Sequence, residues 1–228
     1  MADRTPAPVL AYALGDALYL NVTSACTLAC TFCPKIRDRD FTLGAYDLRL
    51  RRAPSADEVW EAVRARGPLA RWAEVVFTGF GEPTRRLAVV LDLVRRLKRE
   101  GVARVRIDTD GLASLREGRD VVPELAEAGV DALSVSLNAA DAATYARLCP
   151  SAYGESAYAA VKDFVARAAR RIPDVAASAV AVPGNPEEAC RAVAESLGAR
   201  FRWRPYDRLG RLEGAPGGTR PEEAPVHR

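Results

Sequence analysis

Glu74-Val-Val-Phe-Thr-Gly-Phe-Gly-Glu-Pro83 begins as a run of branched and aromatic side chains and ends in a glycine-rich turn closed by proline. Leu87, Val90, Leu91, Val94 and Leu97 then recur at helical spacing as far as Gly101, where the apolar face stops. Val102 to Asp108 follows as a second run of strand type. Strand, turn, helix and strand in that order make a βαβ unit, with parallel strands and a right-handed crossover. The spacing predicts strands at 74–78 and 102–108 with one helix between them.

The same alternation extends in both directions. Upstream, Ala17 to Val22 reads as a strand, Thr23 to Pro34 as a cysteine-bearing loop, and the charged stretch to Ala53 as irregular. Ser55-Ala-Asp-Glu58 is a capping box, so a helix should start there and run to about Arg71. Downstream, a helix centred on 121–128 leads to a strand at 130–136. Helical stretches near 142–148 and 155–171 lead to a strand at 175–182. A helix at 186–197, closed by Gly198, leads to a sixth strand at 199–205. Six units are too few for an eight-stranded barrel, so the expectation is α/β, an open, partial (β/α)6 barrel of TIM-like type, with a doubly wound flat sheet as the alternative. The core domain should span 14–206. The Pro/Ala-rich residues 1–13 and the Gly-, Pro- and charge-rich residues 207–228, which hold the only histidine, His227, read as flexible tails.

Composition narrows the function. With 49% hydrophobic and 28% charged residues in a chain of 228, one folded domain is expected. The 33 basic residues nearly cancel the 30 acidic ones, so no field for a polyanion is implied, and nucleic acid is not indicated. The N-terminus lacks a basic region, and no apolar stretch approaches the roughly 18 residues that span a bilayer. Five cysteines, an odd number, fit reduced thiols or metal ligands better than a disulfide framework, which points to the cytoplasm.

Cys26-Thr-Leu-Ala-Cys30-Thr-Phe-Cys33-Pro34 places three thiols at spacings of four and three. On a helix these positions share a face and would be plain core. Threonines at 23, 27 and 31, the preceding strand and Pro34 disfavour a long helix. On a loop, three thiolates suit a soft metal, above all an iron–sulfur cluster with one iron open to a substrate or cofactor. A zinc site would need a fourth ligand, for which Cys149 or Cys190 is available.

The Cys-x3-Cys-x2-Cys pattern with Phe32 before its last cysteine, followed one strand later by Gly79-Phe-Gly-Glu-Pro83, resembles the radical S-adenosylmethionine (SAM) superfamily. That resemblance implies a [4Fe–4S] cluster on Cys26, Cys30 and Cys33. It implies SAM chelating the fourth iron and a glycine turn receiving the SAM amino group. Phe32, Gly79, Gly81 and Glu82, with Thr109, Ser136 and Asn138 at strand ends, are the implied cofactor contacts. Gly81→Val is then expected to weaken SAM binding while sparing the cluster. Gly44-Ala-Tyr-Asp-Leu48, Val76 to Thr84, Asp108-Thr-Asp-Gly111, Ser136-Leu-Asn-Ala139 and Arg202-Trp-Arg-Pro-Tyr206 together look like the small TatD-associated radical SAM proteins, over roughly residues 12–206. Those proteins would have Asn-Thr-Asn-Gly where this chain has Asp108-Thr-Asp-Gly111.

Strand parity predicts a polar lumen. Leu18, Leu20 and Val22 share one face and Tyr19, Asn21 and Thr23 the other. Leu133 and Val135 oppose Ser134 and Ser136, Val105 and Ile107 oppose Arg106, Asp108 and Asp110, and Phe201 and Trp203 oppose Arg202 and Arg204. Arg106 and Asp108 either pair structurally or serve a ligand. Arg202 and Arg204 suit an anionic substrate or the SAM carboxylate. Cys149 and Cys190 read as buried thiols. Lys35, Arg37 and Arg39 either close over the site or form a solvated loop. The resemblance implies radical chemistry on an unidentified substrate, an electron donor such as a flavodoxin or ferredoxin, and an association with a TatD-type nuclease. Two rivals are a zinc-stabilised binding module and a SAM-binding barrel that regulates such a nuclease without radical activity.

Overall fold

The computed structural model describes residues 7–206. Residues 1–6 of the tail expected at 1–13, and the whole tail expected at 207–228 with His227, lie outside the described residues. In chain order, β1 (Ala11–Leu14) and β2 (Ala17–Leu20) form an antiparallel hairpin, α1 (Pro34–Arg37) follows the cysteine loop, and β3 (Thr42–Leu43) and β4 (Tyr46–Asp47) make a second hairpin. Then come α2 (Ala56–Arg64), β5 (Glu74–Phe77), α3 (Leu87–Arg99), β6 (Val105–Thr109), α4 (Ala113–Glu117), α5 (Val122–Ala128) and β7 (Ala132–Ser136). The remainder is α6 (Ala142–Leu148), α7 (Ser156–Ala168), β8 (Asp174–Val180), α8 (Glu187–Ser196) and β9 (Arg200–Arg204).

The main sheet has the order β1-β2-β5-β6-β7-β8-β9, and every pairing from β2 to β9 is parallel. The order never reverses, so there is no switch point of the doubly wound kind. The architecture is the partial (β/α)6 barrel that the element order predicts, with β1 added at one edge. Three local expectations are corrected. Ala11–Leu14 pairs with Ala17–Leu20, so a strand occupies residues assigned to a loose tail ending at 13. The charged stretch before Ala53 contains the β3–β4 hairpin. The helix opened by Ser55 stops at Arg64 rather than near Arg71, because Gly67, at φ 88°, and Pro68 cannot continue it. The capping box itself is complete, with Glu58 N donating to Ser55 Oγ at 3.1 Å and Ser55 N to Glu58 Oε2 at 2.8 Å.

Helices cover one sheet face. α3 alone buries Leu87, Val90, Leu91, Leu93, Val94 and Leu97 against it, each contributing about 1.5–3 kcal/mol, which outweighs any intrinsic helix propensity. Leu18, Leu20, Val75, Phe77, Val105, Ile107, Leu133 and Val135 belong to this core. Residues of opposite parity turn inward, so the sheet delivers polar groups to the barrel's interior. No helix among the described residues is long and apolar enough to cross a membrane.

Candidate functional site

Residues 23–33 contain no helix, so the three thiols of this stretch are not a helical core stripe. The loop is held at several points. Thr23 Oγ1 accepts from Ala25 N at 3.0 Å, and Lys35 Nζ donates to Ser24 O at 2.6 Å. Leu28 pairs with Ser151 in an antiparallel bridge, Ala29 N donates to Pro150 O at 2.8 Å, and Thr31 N to Leu148 O at 2.9 Å. Cys33 N closes a turn on Cys30 O at 3.0 Å, and Cys33 then caps α1, whose first residue is Pro34. Cys26, Cys30 and Cys33 are half-buried, whereas Cys149 and Cys190 are fully buried as the sequence predicts.

The ladder sets Cys30 opposite Cys149. The neighbouring Cys149 thiol, with burial, pushes the Cys30 thiol well above the usual cysteine range. Burial pushes Cys26 up to about 12 and also raises Cys33. Thiols in this state are protonated, so a metal that binds them must displace their protons. Among the described residues no three His, Cys, Asp or Glu side chains are arranged around a single ion. A zinc reading therefore has no preformed site here. Ligands of a cluster attach to separate irons and stand further apart than ligands of one ion.

The glycine turn is fitted against this loop. Glu82 N donates to Ala25 O at 2.9 Å. A Cβ on Gly81 would lie 2.1 Å from Thr23 O and 2.8 Å from Ala25 O, and one on Gly79, at φ 149°, would lie 2.8 Å from Asn21 Oδ1. Only glycine permits this approach. Asn21 is buried and anchors the end of β2, its Nδ2 donating to Leu48 O at 2.9 Å and to Val9 O at 3.1 Å.

Glu82 and Thr109 differ from the expectation that they reach a cofactor directly. The Glu82 carboxylate is buried and accepts from Thr84 N at 2.9 Å, Thr84 Oγ1 at 2.6 Å, Thr109 Oγ1 at 2.8 Å and Asp110 N at 2.6 Å. Four donors saturate it. It clasps the turn after β5 to the turn after β6, and the Thr109 hydroxyl is spent on that clasp.

Asp110, also buried, keeps the free acceptor that Glu82 lacks. Its Oδ1 accepts from Leu112 N at 2.9 Å, while its buried Oδ2 has no hydrogen-bond partner. Burial, together with the neighbouring Glu82 charge, raises its pKa to about 8. Asn138 stands at φ 59°, donates through Nδ2 to Cys149 Sγ at 3.2 Å, and leaves its buried Oδ1 unpartnered. Asn185 Nδ2 donates to Asn138 O at 2.7 Å, and Cys190 Sγ to Asn185 Oδ1 at 3.3 Å, so both buried cysteines end one polar chain. The buried Tyr145 hydroxyl also lacks a partner; burial raises its pKa, and Cys149, Asp110, Cys30 and Cys26 are the ionisable groups around it. Phe32 and Ser136 are half-buried. Asp110 and Tyr145 were not singled out by sequence. Strand parity aimed Asp110 inward, but nothing in the sequence marked Tyr145 of α6.

A pH test follows for Asp110. An aspartate with an unfolded pKa of about 4 and a folded pKa of about 8 keeps its proton in the native state while the unfolded chain loses it. Wild-type stability must therefore fall across that window as pH rises. Asp110→Asn removes the loss, so cluster-free D110N should gain at least about 1 kcal/mol on wild type between pH 5 and pH 8, one pKa unit being worth that much. Urea unfolding at the two pH values measures it, and an unchanged difference contradicts the buried protonated carboxyl.

The interior below this cluster of groups is charged. Arg106 pairs with Glu74 at 3.2 Å and Asp108 at 3.5 Å, Arg104 with Glu74 at 3.4 Å and Asp174 at 2.5 Å, and Arg200 with Asp174 at 2.5 Å. Arg202 lines a cavity of about 270 Å³ beside Ser134. Arg204 buries its Nε without a partner, and burial lowers its pKa despite the opposing charge of Asp108. Phe201 packs under Arg191 of α8 at 4.9 Å on the outer face, as parity requires. Arg37 donates to the Tyr206 hydroxyl, and Lys35 is fixed to the cysteine loop.

The sequence model of the radical SAM superfamily matches residues 20–197. Among solved structures, SuiB of Streptococcus suis bound to its precursor peptide SuiA is 18% identical with a TM-score of 0.63, over 86% of this chain and 40% of that one. The FeFe-hydrogenase maturase HydG of Carboxydothermus hydrogenoformans is 14% identical with a TM-score of 0.62, over 87% of this chain and 46% of that one. Methylornithine synthase is 16% identical with a TM-score of 0.54, over 84% and 53%. The chain spans less than half the length of the first two, and the likeness is one of fold. No curated protein sequence matches it.

Proposed function

Since the chain belongs to the radical SAM superfamily, we propose that it is an enzyme in which Cys26, Cys30 and Cys33 hold a [4Fe–4S] cluster and SAM binds beside it. When bound, the cluster supplies one electron that breaks a carbon–sulfur bond of SAM, giving a 5′-deoxyadenosyl radical that takes hydrogen from a substrate. One observation carries the reading. Three half-buried thiols occupy a non-helical loop hydrogen-bonded to a glycine turn, amid the unpartnered Asp110 Oδ2, Asn138 Oδ1 and Tyr145 hydroxyl. Buried polar atoms without partners call for a polar ligand.

The chain's residues divide the work. The thiolates would hold iron, and Gly79 and Gly81 would let backbone carbonyls approach the SAM amino group. Asp110 and Asn138 offer acceptors to its ammonium and hydroxyl groups. Ser136 and Phe32 would line the same pocket, and Glu82 and Thr109 would act as the clasp that positions it. Burial around the thiols keeps water from the reacting atoms. A flavodoxin or ferredoxin would deliver the electron, and the cytoplasm would supply the reducing setting. The runs at 44–48 and 202–206 favour the TatD-associated branch, and with it a functional link to a TatD-type nuclease.

Anaerobic reconstitution with iron and sulfide, then reduction in the presence of SAM, tests the proposal. Four irons per chain and release of 5′-deoxyadenosine are expected. A chain that takes up only zinc, or binds SAM without forming 5′-deoxyadenosine, overturns it in favour of a binding module.

A further inference from the structure

Glu74, Asp108 and Asp174 are the carboxylates that pair with Arg104, Arg106 and Arg200 around the cavity that Arg202 lines, one acid for each guanidinium. Two more arginines on β9, Arg202 and Arg204, have no carboxylate of their own, since Asp108, whose charge reaches Arg204, is already paired with Arg106. Among the described residues neither the Arg202 nor the Arg204 side chain makes a hydrogen bond or an ion pair, although Arg202 lines the cavity and Arg204 buries its Nε. Exposed arginines need no partner, but desolvated ones do. Arg202 and Arg204 stand two residues apart on one strand face, their Cα atoms about 7 Å apart. Arg204, at the C-terminal end of β9, is the nearer to the thiols, with Cys30 and Cys149 within its electrostatic reach.

We propose that the lumen binds a dianionic ligand, a phosphate monoester or a dicarboxylate, whose oxygens pair with Arg202 and Arg204. This rests on the reading that the barrel's mouth holds the cluster and SAM, because the reacting part of such a substrate would then lie at the Arg204 end. Guanidinium forks suit either anion bidentately, and two surplus positive charges call for two negative ones. The ion pairs leave the surrounding residues neutral, so a monoanion would leave one half-buried charge unmet.

Thermal melting of the full chain, with its cluster and in parallel without it, tests this using inorganic phosphate, succinate and chloride at fixed ionic strength. A saturable rise in melting temperature with phosphate or succinate, absent with chloride, is expected, and the more effective anion identifies the ligand's acidic groups. In R202Q/R204Q the rise should vanish, while the anion-free melting temperature should exceed that of wild type because two unpaired, half-buried charges are gone. If the double variant does not fold, R202Q and R204Q singly should each weaken anion binding at least tenfold. No response in wild type, or an equal response in the variants, overturns the proposal. So does loss of SAM binding in R204Q with phosphate binding intact, which would give Arg204 to the cofactor carboxylate. Anion binding without 5′-deoxyadenosine formation overturns the radical reading alone, and 5′-deoxyadenosine formation without anion binding overturns this one alone.

Discussion

Gly81→Ala should abolish the iron–sulfur cluster, not merely loosen SAM. Sequence alone places Gly81 in the cofactor turn and predicts that a larger residue there spares the cluster. The structure changes the expectation, because the added Cβ would meet Thr23 O at 2.1 Å, Thr23 C at 2.7 Å and Ala25 O at 2.8 Å, all backbone atoms of the cysteine loop. No side chain can swing aside. The turn must draw back, breaking the 2.9 Å bond from Glu82 N to Ala25 O and displacing the loop that presents Cys26. Overpacking of this kind costs about 1–3 kcal/mol, more where backbone must move. Iron content after reconstitution should fall to background in G81A, and the melting temperature should drop. Full iron loading in G81A would show that the turn and the loop move independently.

Alanine at Cys26, Cys30 or Cys33 should each eliminate the brown cluster and all 5′-deoxyadenosine, whereas Cys149→Ala should retain both. The comparison is sharp because Cys149 neighbours Cys30. Proximity gives Cys149 the opportunity to be a ligand. Its setting argues otherwise, since it is 1% exposed and its sulfur already accepts from Asn138 Nδ2 at 3.2 Å. Iron and sulfide analysis of the four variants decides the matter. Cluster loss in C149A would make Cys149 a fourth thiolate and leave no iron free for SAM.

What could be read from the sequence had local causes. The six parallel strands followed from apolar runs separated by capped helices, and the inward arginines of β9 from two-residue periodicity. The misses had non-local causes. Ala11–Leu14 is a weak strand sequence that exists because β2 offers it an edge. Glu82 reads as a charge for a ligand until the donors from Thr109 and Asp110, on the next strand's end, are seen to saturate it. Asp110 becomes the freer carboxyl only as a result of that clasp. The placement of Cys30 beside Cys149 depends on the short ladder between Leu28 and Ser151, which no spacing rule announces.

That ladder, with the bond from Glu82 N to Ala25 O, ties the thiol loop on one side to the segment after α6 and on the other to the glycine turn. Two ligands that settle on such a joined unit are thermodynamically reciprocal. Whatever factor the cluster adds to SAM affinity, SAM must add to cluster retention. SAM then serves as a preservative of the metal centre as well as its reactant, and the half-life of the cluster under a chelator should lengthen with SAM concentration by the same factor.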